Sequence, residues 1–346
     1  MGAMKLLALG AGLVAGLGAF DASVAQTKST LDIVKERGRL RCQHGQPSPG
    51  FYEQTADGKW RGLDHDVCRA IAAAVLGDAD KIDVQSVTNA VRFTALANGE
   101  SDVLVRTTTA TLLRDSQLGL DFQGIHFYDG QGFMVRKDSG IKSAKELNGA
   151  TICVITGTTT ELNLADYFRT NNMTYKAFTT ADSNVARETY EKGACDANTN
   201  DKSSLASSRA TFAKPADHMI LPETISKEPL GPVTRHGDNQ WGDIVRWAVN
   251  VMIAAEEFGI TSASVDKVKA ETKDPEIRRM LGLEGELSKG LGLDKDWAYR
   301  IIKQVGNYGE SYERNVGPNT PINIPRDGSL NALWTKGGLM YTPPFR

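Results

Sequence analysis

The sequence lacks a charge of one sign: 40 Lys and Arg stand against 42 Asp and Glu. A nucleic-acid binder shows a basic excess, so the balance argues against one. No run reaches the roughly 18 uncharged apolar residues that a membrane-spanning helix needs. The five histidines, His44, His65, His126, His218 and His236, form neither H-E-x-x-H nor another metal-ligand spacing. Neither a P-loop nor a G-x-S-x-G elbow occurs, which removes two common catalytic frameworks. The four cysteines lack a C-x-x-C pair, which weakens zinc and thioredoxin-like readings. What is present is 40% hydrophobic content, enough for a packed core and too much for a disordered chain. The length of 346 residues fits two domains or one large one.

The N-terminus points to export. Lys5 precedes an apolar run over residues 6–20, and small residues follow at Ser23 and Ala25. This pattern describes a secretory signal peptide over residues 1–25, cleaved after Ala25. The other reading of the run is a short buried helix or an uncleaved anchor. No cysteine stands at the cleavage site, which argues against a lipid anchor. The expected location is the periplasm of a Gram-negative cell. Export makes disulfides chemically possible, and four cysteines allow three pairings. Cys42–Cys68 with Cys153–Cys195 is the favoured pairing; four buried thiols are the alternative.

Along the chain, helices are expected at residues 30–38, 64–76, 91–97, 161–168, 184–192, 241–258 and 296–305. Val67, Ile71, Ala74 and Val75 set the helical period of the second of these. Short apolar strands are expected at 40–42, 82–84, 102–105, 151–155 and 196–199. Alternating strands and helices imply parallel sheets with crossover helices. Gly193-Ala194-Cys195-Asp196 repeats the offsets of Gly99-Glu100-Ser101-Asp102, a weak echo between two similar units. From Gly306 the chain is expected to run as an extended surface tail.

Three strand tips carry chemistry. In open α/β sheets, ligands bind beyond the carboxyl ends of the strands. The first tip offers Arg106, Thr107 and Thr109, then Arg114 entering a helix. A guanidinium can grip both oxygens of a carboxylate, and helix-start amides add donors. The bland reading is a Thr-rich helix cap with a solvated arginine. The second tip offers Thr158 and Thr159 after Gly157, suited to an anion or to a plain cap. The third carries Asn198, Asn200 and Asp201; the acid can accept an ammonium, or serve as a turn residue. An arginine on one unit facing an acid on the other would suit a zwitterion.

Several segments then resemble a known family. Gly62-Leu63-Asp64-His65-Asp66-Val67-Cys68 is similar to its signature, with His65 where an apolar residue or Thr is usual. Arg92-Phe93-Thr94-Ala95-Leu96, the stretch from Gly157 to Tyr167, Lys227-Glu228-Pro229-Leu230-Gly231-Pro232 and the stretch from Gly292 to Arg300 are more specific. The chain resembles the general L-amino-acid-binding periplasmic proteins of ABC importers, within the family 3 solute-binding proteins. The resemblance covers about residue 30 to the C-terminus.

It implies an α/β fold of the type II periplasmic-binding-protein kind: two lobes, a hinge and an interlobe ligand cleft. Lobe 1 would comprise residues 26–134 and 232–346, and lobe 2 residues 135–231. The crossings are expected near 133–137 and 227–235. The resemblance further implies that Arg114 holds a ligand α-carboxylate with help from Thr109 and Thr159, and that Asp201 holds the α-ammonium. A monomer is expected, with a small-molecule ligand, an ABC permease as partner, and no cofactor.

Two departures stand out. The subgroup usually reads Asn-Thr-Thr-Trp-Thr where this chain has Thr107-Thr108-Thr109-Ala110-Thr111. It usually reads Tyr-Thr-Thr-Asp where this chain has Asn198-Thr199-Asn200-Asp201, followed by Lys202. These changes make a more polar or acidic ligand an expectation, a dicarboxylate or opine-like conjugate included. The competing class is an enzyme on the same fold, resembling cyclohexadienyl dehydratase, for which Asp201 and His44 are the candidate acid–base groups. A chemosensory receptor would use the same ligand chemistry as a transport receptor.

Overall fold

The computed structural model describes residues 28–346. The expected signal peptide lies outside the described residues. Two five-stranded mixed sheets organise the chain. In the first, Leu40–His44 is flanked by the parallel strands Ile82–Ser86 and Val103–Leu104. Val233–Arg235 then adds antiparallel to Val103–Leu104, and Leu120–Phe122 pairs antiparallel with it at the edge. In the second, Thr151–Ile155 is flanked by the parallel strands Lys176–Thr180 and Ala197–Asp201. Gln131–Arg136 and His218–Ile220 complete it in antiparallel fashion. The two sheets therefore share one plan: three parallel strands, one reversed strand, and an edge strand running with the first three.

The sequence echo has a structural meaning. Gly99 and Gly193 both take positive φ, 77° and 85°, where a side chain would be strained. Each reverses the chain after a helix. The aspartate three residues on then closes the same clasp in both lobes. Asp102 accepts from the Arg41 amide at 2.7 Å, and Asp196 from the Thr151 amide at 2.8 Å. Each carboxylate thus ties the start of its own strand to the start of the central one.

Helices cover the sheets where the apolar period demands. Leu63–Leu76 buries eleven of its fourteen residues and stops at Gly77, which is left-handed. So thorough a burial explains why its sequence is apolar well beyond a single stripe. Asn239–Glu257 is capped by the Asp238 carboxylate, which accepts from the Trp241 amide at 3.1 Å. Trp241 is fully buried, and its indole N–H donates to the Asp102 carbonyl at 2.9 Å, satisfying the one polar atom it carries inside. Each such buried large side chain contributes roughly 1.5–3 kcal/mol. One disulfide lies in each lobe: Cys42–Cys68, with Cα atoms 6.2 Å apart, and Cys153–Cys195, at 5.7 Å.

Two expectations need correction. Residues 133–136, expected at the first crossing, belong to the strand Gln131–Arg136 inside the second sheet, and residue 137 begins the following 3-10 turn. The strand is buried over Gln131–Val135, so its sequence shows no alternation to mark it as a strand. The segments that pass between the sheets pair with each other instead: Phe127–Asp129 lies antiparallel to Glu228–Leu230, with Asp129 opposite Glu228. The expected second crossing, 227–235, spans this second strand and Val233–Arg235.

The C-terminal region is not an extended tail. Tyr308–Asn315 is a helix closed by a capping box between Asn307 and Glu310. Tyr308, Tyr312, Ile322, Leu333, Met340 and Phe345 are all buried. Glycine and proline there turn the chain without exposing it. Arg326 grips Glu256 with two nitrogens, at 2.5 and 2.8 Å, and lies against the Tyr308 and Tyr312 rings. Beyond it, Asn331 accepts from the Tyr128 amide at 2.7 Å and donates to the Tyr128 carbonyl at 2.9 Å. The C-terminal segment thereby splints the first passing strand.

Candidate functional site

The carboxyl ends of the parallel strands in the two sheets face one cavity between the lobes. Its volume is about 60 Å³. Of the residues singled out from the sequence, Arg106, Thr107, Thr109 and Arg114 line it from the first lobe. Thr158, Thr159, Asn200 and Asp201 line it from the second. Asn198 does not: it is buried in its strand opposite Met134, outside the lining.

Local sequence sets each position. Thr111 caps the helix Leu112–Gln117, its hydroxyl accepting from the Arg114 amide at 3.2 Å, and Arg114 is 8% exposed. Its guanidinium donates to the Thr109 carbonyl at 2.9 Å, which aims the fork. Burial lowers its pKa, while the charges of Glu228 and Asp201 act to raise it. Thr107 has a positive φ of 44°, unusual for a β-branched residue. Its amide donates to Asp64 Oδ2 at 2.6 Å, and Asp64 is held in turn by His126 Nε2 at 2.7 Å. This buried pair fixes the strained corner from which Thr107 and Thr109 project.

Across the cavity, the Thr158 hydroxyl accepts from the Glu161 amide at 3.3 Å, and Glu161 reaches back to the Gly157 amide at 2.9 Å. This is the plain cap that was the alternative reading of this tip, with Glu161 holding the residue before the cap rather than the cap itself. Asp201 ends its strand and is 6% exposed. Burial, then the charges of Asp129 and Glu228, push its carboxyl well above the usual range, while Arg114 pulls it back. Asp129 is itself raised to about 6, chiefly by burial.

Residues outside that set complete the site. Tyr52 and Ile155 supply apolar surface, and Ala110, where a Trp was expected from the subgroup, does not line the cavity. Arg92 lines it, as do Asn89, Ser207 and, from the helix Ser183–Glu191, Arg187. Arg92 stands in a motif already noted, but its inward direction carries no signal in one dimension. Glu228 is 1% exposed and accepts four bonds: from Ser226 at 2.6 Å, Asn163 at 2.7 Å, Thr109 at 2.6 Å and Thr159 at 3.0 Å. Ser48 and Ser207 meet across the cleft at 3.2 Å. The lobes are thus bridged at both a hinge-side and a rim-side point.

His44 lies elsewhere. It is fully buried in the first lobe, its Nδ1 on the Val105 carbonyl at 2.7 Å and its Nε2 on His65 Nδ1 at 3.1 Å. Burial lowers its pKa to about 4. It does not line the cavity, so the candidate acid–base pair with Asp201 is not assembled. Cys42, Cys68 and His44 cluster closely enough for a metal, but both cysteines are spent in a disulfide.

Comparison with known proteins fits this geometry. Residues 40–263 match the family described as bacterial extracellular solute-binding proteins, family 3. The chain is 57% identical to the glutamate/glutamine/aspartate/asparagine-binding protein BztA of Rhodobacter capsulatus, over 93% of this chain and 95% of that one. It is 50% identical to the general L-amino acid-binding periplasmic protein AapJ of Rhizobium johnstonii, over 99% and 100%. A periplasmic binding protein from Brucella ovis, solved with glutathione bound, superposes with a TM-score of 0.90 at 50% identity, covering 92% of this chain and all of that one.

Proposed function

The chain belongs to the bacterial extracellular solute-binding proteins of family 3, and on that premise we propose that it captures an amino acid in the periplasm and delivers it to an ABC permease. The observation that carries this reading is the facing pair of Arg114 and Asp201, buried on opposite walls of one small cavity. A guanidinium fork matches an α-carboxylate, and a buried carboxylate matches an α-ammonium. Neither lobe alone presents both charges, so the full set of contacts exists only when the lobes are together. Phe127–Asp129 and Glu228–Leu230 serve as the hinge, and closure over the ligand is the signal the permease reads.

Relatives named as binding proteins, together with the removal of His44 from the cleft, support a receptor over an enzyme. Glutathione is the ligand of the Brucella ovis relative and shares its α-amino-acid head with glutamate, so a γ-glutamyl peptide is the second reading.

The test is a thermal-shift screen of refolded, ligand-free protein against amino acids, dicarboxylates and γ-glutamyl peptides. Ligand at 100–1,000 times its Kd should stabilise by about 3–4 kcal/mol. A response to glutathione and to no free amino acid would favour the second reading. No response to any α-amino compound would overturn the first.

A further inference from the structure

His65 departs from the family signature and does not line the ligand cleft. It belongs instead to a buried cluster beneath the first lobe's cleft wall. His44 Nε2 lies 3.1 Å from His65 Nδ1 and 4.0 Å from Cys68 Sγ. One ligand atom each from Cys42, His44 and Cys68 lies within 4.8 Å of the others. Those three residues are fully buried, and His65 is 6% exposed. His65 also lines a surface pocket with Lys59, Trp60 and Arg69, so the cluster's outer side meets an opening. The cleft chemistry uses none of these four side chains.

The hydrogen bonds decide which ring nitrogen of His44 is free. A carbonyl only accepts, so His44 Nδ1 carries the proton that it donates to the Val105 carbonyl at 2.7 Å. Nε2 is then the nitrogen with the lone pair, and it is the one that faces His65 and Cys68. Metal-binding histidines are held in this way, with the other ring N–H on a carbonyl. The spacing suits zinc. With Zn–S of about 2.3 Å and Zn–N of about 2.0 Å, tetrahedral zinc holds its ligand atoms roughly 3.3–3.8 Å apart. The contacts of 3.1 and 4.0 Å bracket that range. The Cys42 and Cys68 Cα atoms are 6.2 Å apart, so unbonded sulfurs can separate by side-chain rotation.

We infer that in the reduced chain Cys42, Cys68, His44 and His65 form a zinc site, and that zinc and the disulfide are alternative occupants of the same two sulfurs. Every chain begins with thiols, so the site precedes the bridge. Binding moves no electrons: Zn²⁺ replaces the two thiol protons, and the proton on His65 Nδ1 shifts to its Nε2. Closing the bridge removes two electrons from the two thiolates, which a disulfide-donating oxidant accepts, and the ion leaves. Two thiolates with two imidazoles form a donor set that selects zinc over magnesium or calcium. Either occupant ties the strand Leu40–His44 to the helix Leu63–Leu76. The cleft depends on that tie. Val105, which holds His44, precedes Arg106, and the helix carries Asp64, which accepts from the Thr107 amide.

The experiment refolds the protein in a phosphine reductant, which competes for zinc far less than a dithiol would, with and without zinc. Chelator competition should find one zinc per reduced chain, bound at least a hundredfold more tightly than by the oxidised chain. Cobalt in its place should give a thiolate charge-transfer band and the intense visible bands of tetrahedral coordination. Cys153→Ser with Cys195→Ser should bind zinc as the wild type does, and Cys42→Ser with Cys68→Ser should not bind it. His65→Thr should weaken zinc at least tenfold and leave amino-acid affinity of the oxidised protein unchanged. Alkylation of the reduced wild type, read by mass spectrometry, tests the site without any variant. Zinc should slow modification of Cys42 and Cys68 at least tenfold, and that of Cys153 and Cys195 less than twofold. Equal protection of all four cysteines, or equal zinc affinity in the reduced and oxidised chains, would overturn the site. So would a reduced chain that stays unfolded by circular dichroism with zinc present. Unchanged zinc affinity in His65→Thr would overturn the four-residue assignment.

Discussion

Thr109 and Thr159, from opposite lobes, donate to the same oxygen of Glu228, at 2.6 and 3.0 Å. The shared acceptor sits on a strand that passes between the lobes. Closure therefore completes a hydrogen-bond set on a group that both lobes can reach. In Glu228→Gln, a neutral amide replaces an anionic acceptor that takes two bonds at each oxygen. Each bond to a charged group contributes roughly 1.5–3 kcal/mol. Affinity should fall about tenfold or more, because the closed state is lost rather than a ligand contact. Calorimetry against the best amino acid of the screen checks this, and unchanged affinity would remove Glu228 from closure.

Arg114→Ala should cost at least about 2–3 kcal/mol of binding, as the loss of a charge-assisted pair. The cost should be similar for acidic and neutral amino acids, because the α-carboxylate is common to both. A loss confined to acidic ligands would place the α-carboxylate on another arginine.

Binding should depend on pH through Asp201. Its carboxyl is raised by burial and by Asp129 and Glu228, so below that raised pKa the ligand-free site holds a proton. A ligand ammonium favours the ionised carboxylate and expels that proton. Affinity should then fall as pH drops below the raised pKa, by up to about tenfold per unit. Titrations between pH 5 and 8 in buffers of different ionisation enthalpy read the proton directly. Zero net proton release throughout would contradict the assignment.

The disulfides close segments of 26 and 42 residues. Chain entropy gives about 3.5 and 4 kcal/mol for such loops, nearly the same despite the difference in length. The double replacements Cys42→Ser with Cys68→Ser, and Cys153→Ser with Cys195→Ser, should each lower stability by about that much in denaturant titrations. A difference of more than about 2 kcal/mol between them would show that packing around the bridges outweighs the loops.

Five of the six parallel strands were legible in the sequence; the sixth, Lys176–Thr180, is exposed over four of its five residues and carries no apolar signal. Thr151–Ile155 is found over the residues expected of it. The antiparallel strands were not. Val233–Arg235 is three residues long, and its partners lie more than a hundred residues earlier in the chain. The C-terminal fold departs from the expected tail because its glycines and prolines turn a chain that buries its aromatic side chains instead of exposing it. At the site, the tips carrying Arg114 and Asp201 could be located from strand ends. Arg92 and Arg187 could not, since the cavity they share is built from elements far apart in sequence; nor could Glu228, which is marked only by its bonds to both lobes.

The insertion of Val233–Arg235 between Val103–Leu104 and Leu120–Phe122 has a consequence for the order of assembly. The first sheet lacks its fourth strand until residue 235 is available. Every strand of the second sheet lies within residues 131–220. The middle of the chain can therefore form its sheet on its own, whereas the half that begins first must wait. Long-range pairings of this kind close slowly. In refolding followed by pulsed hydrogen exchange, amides of 151–155 should gain protection before those of 40–44, so that the lobe carrying Asp201 precedes the lobe carrying Arg114.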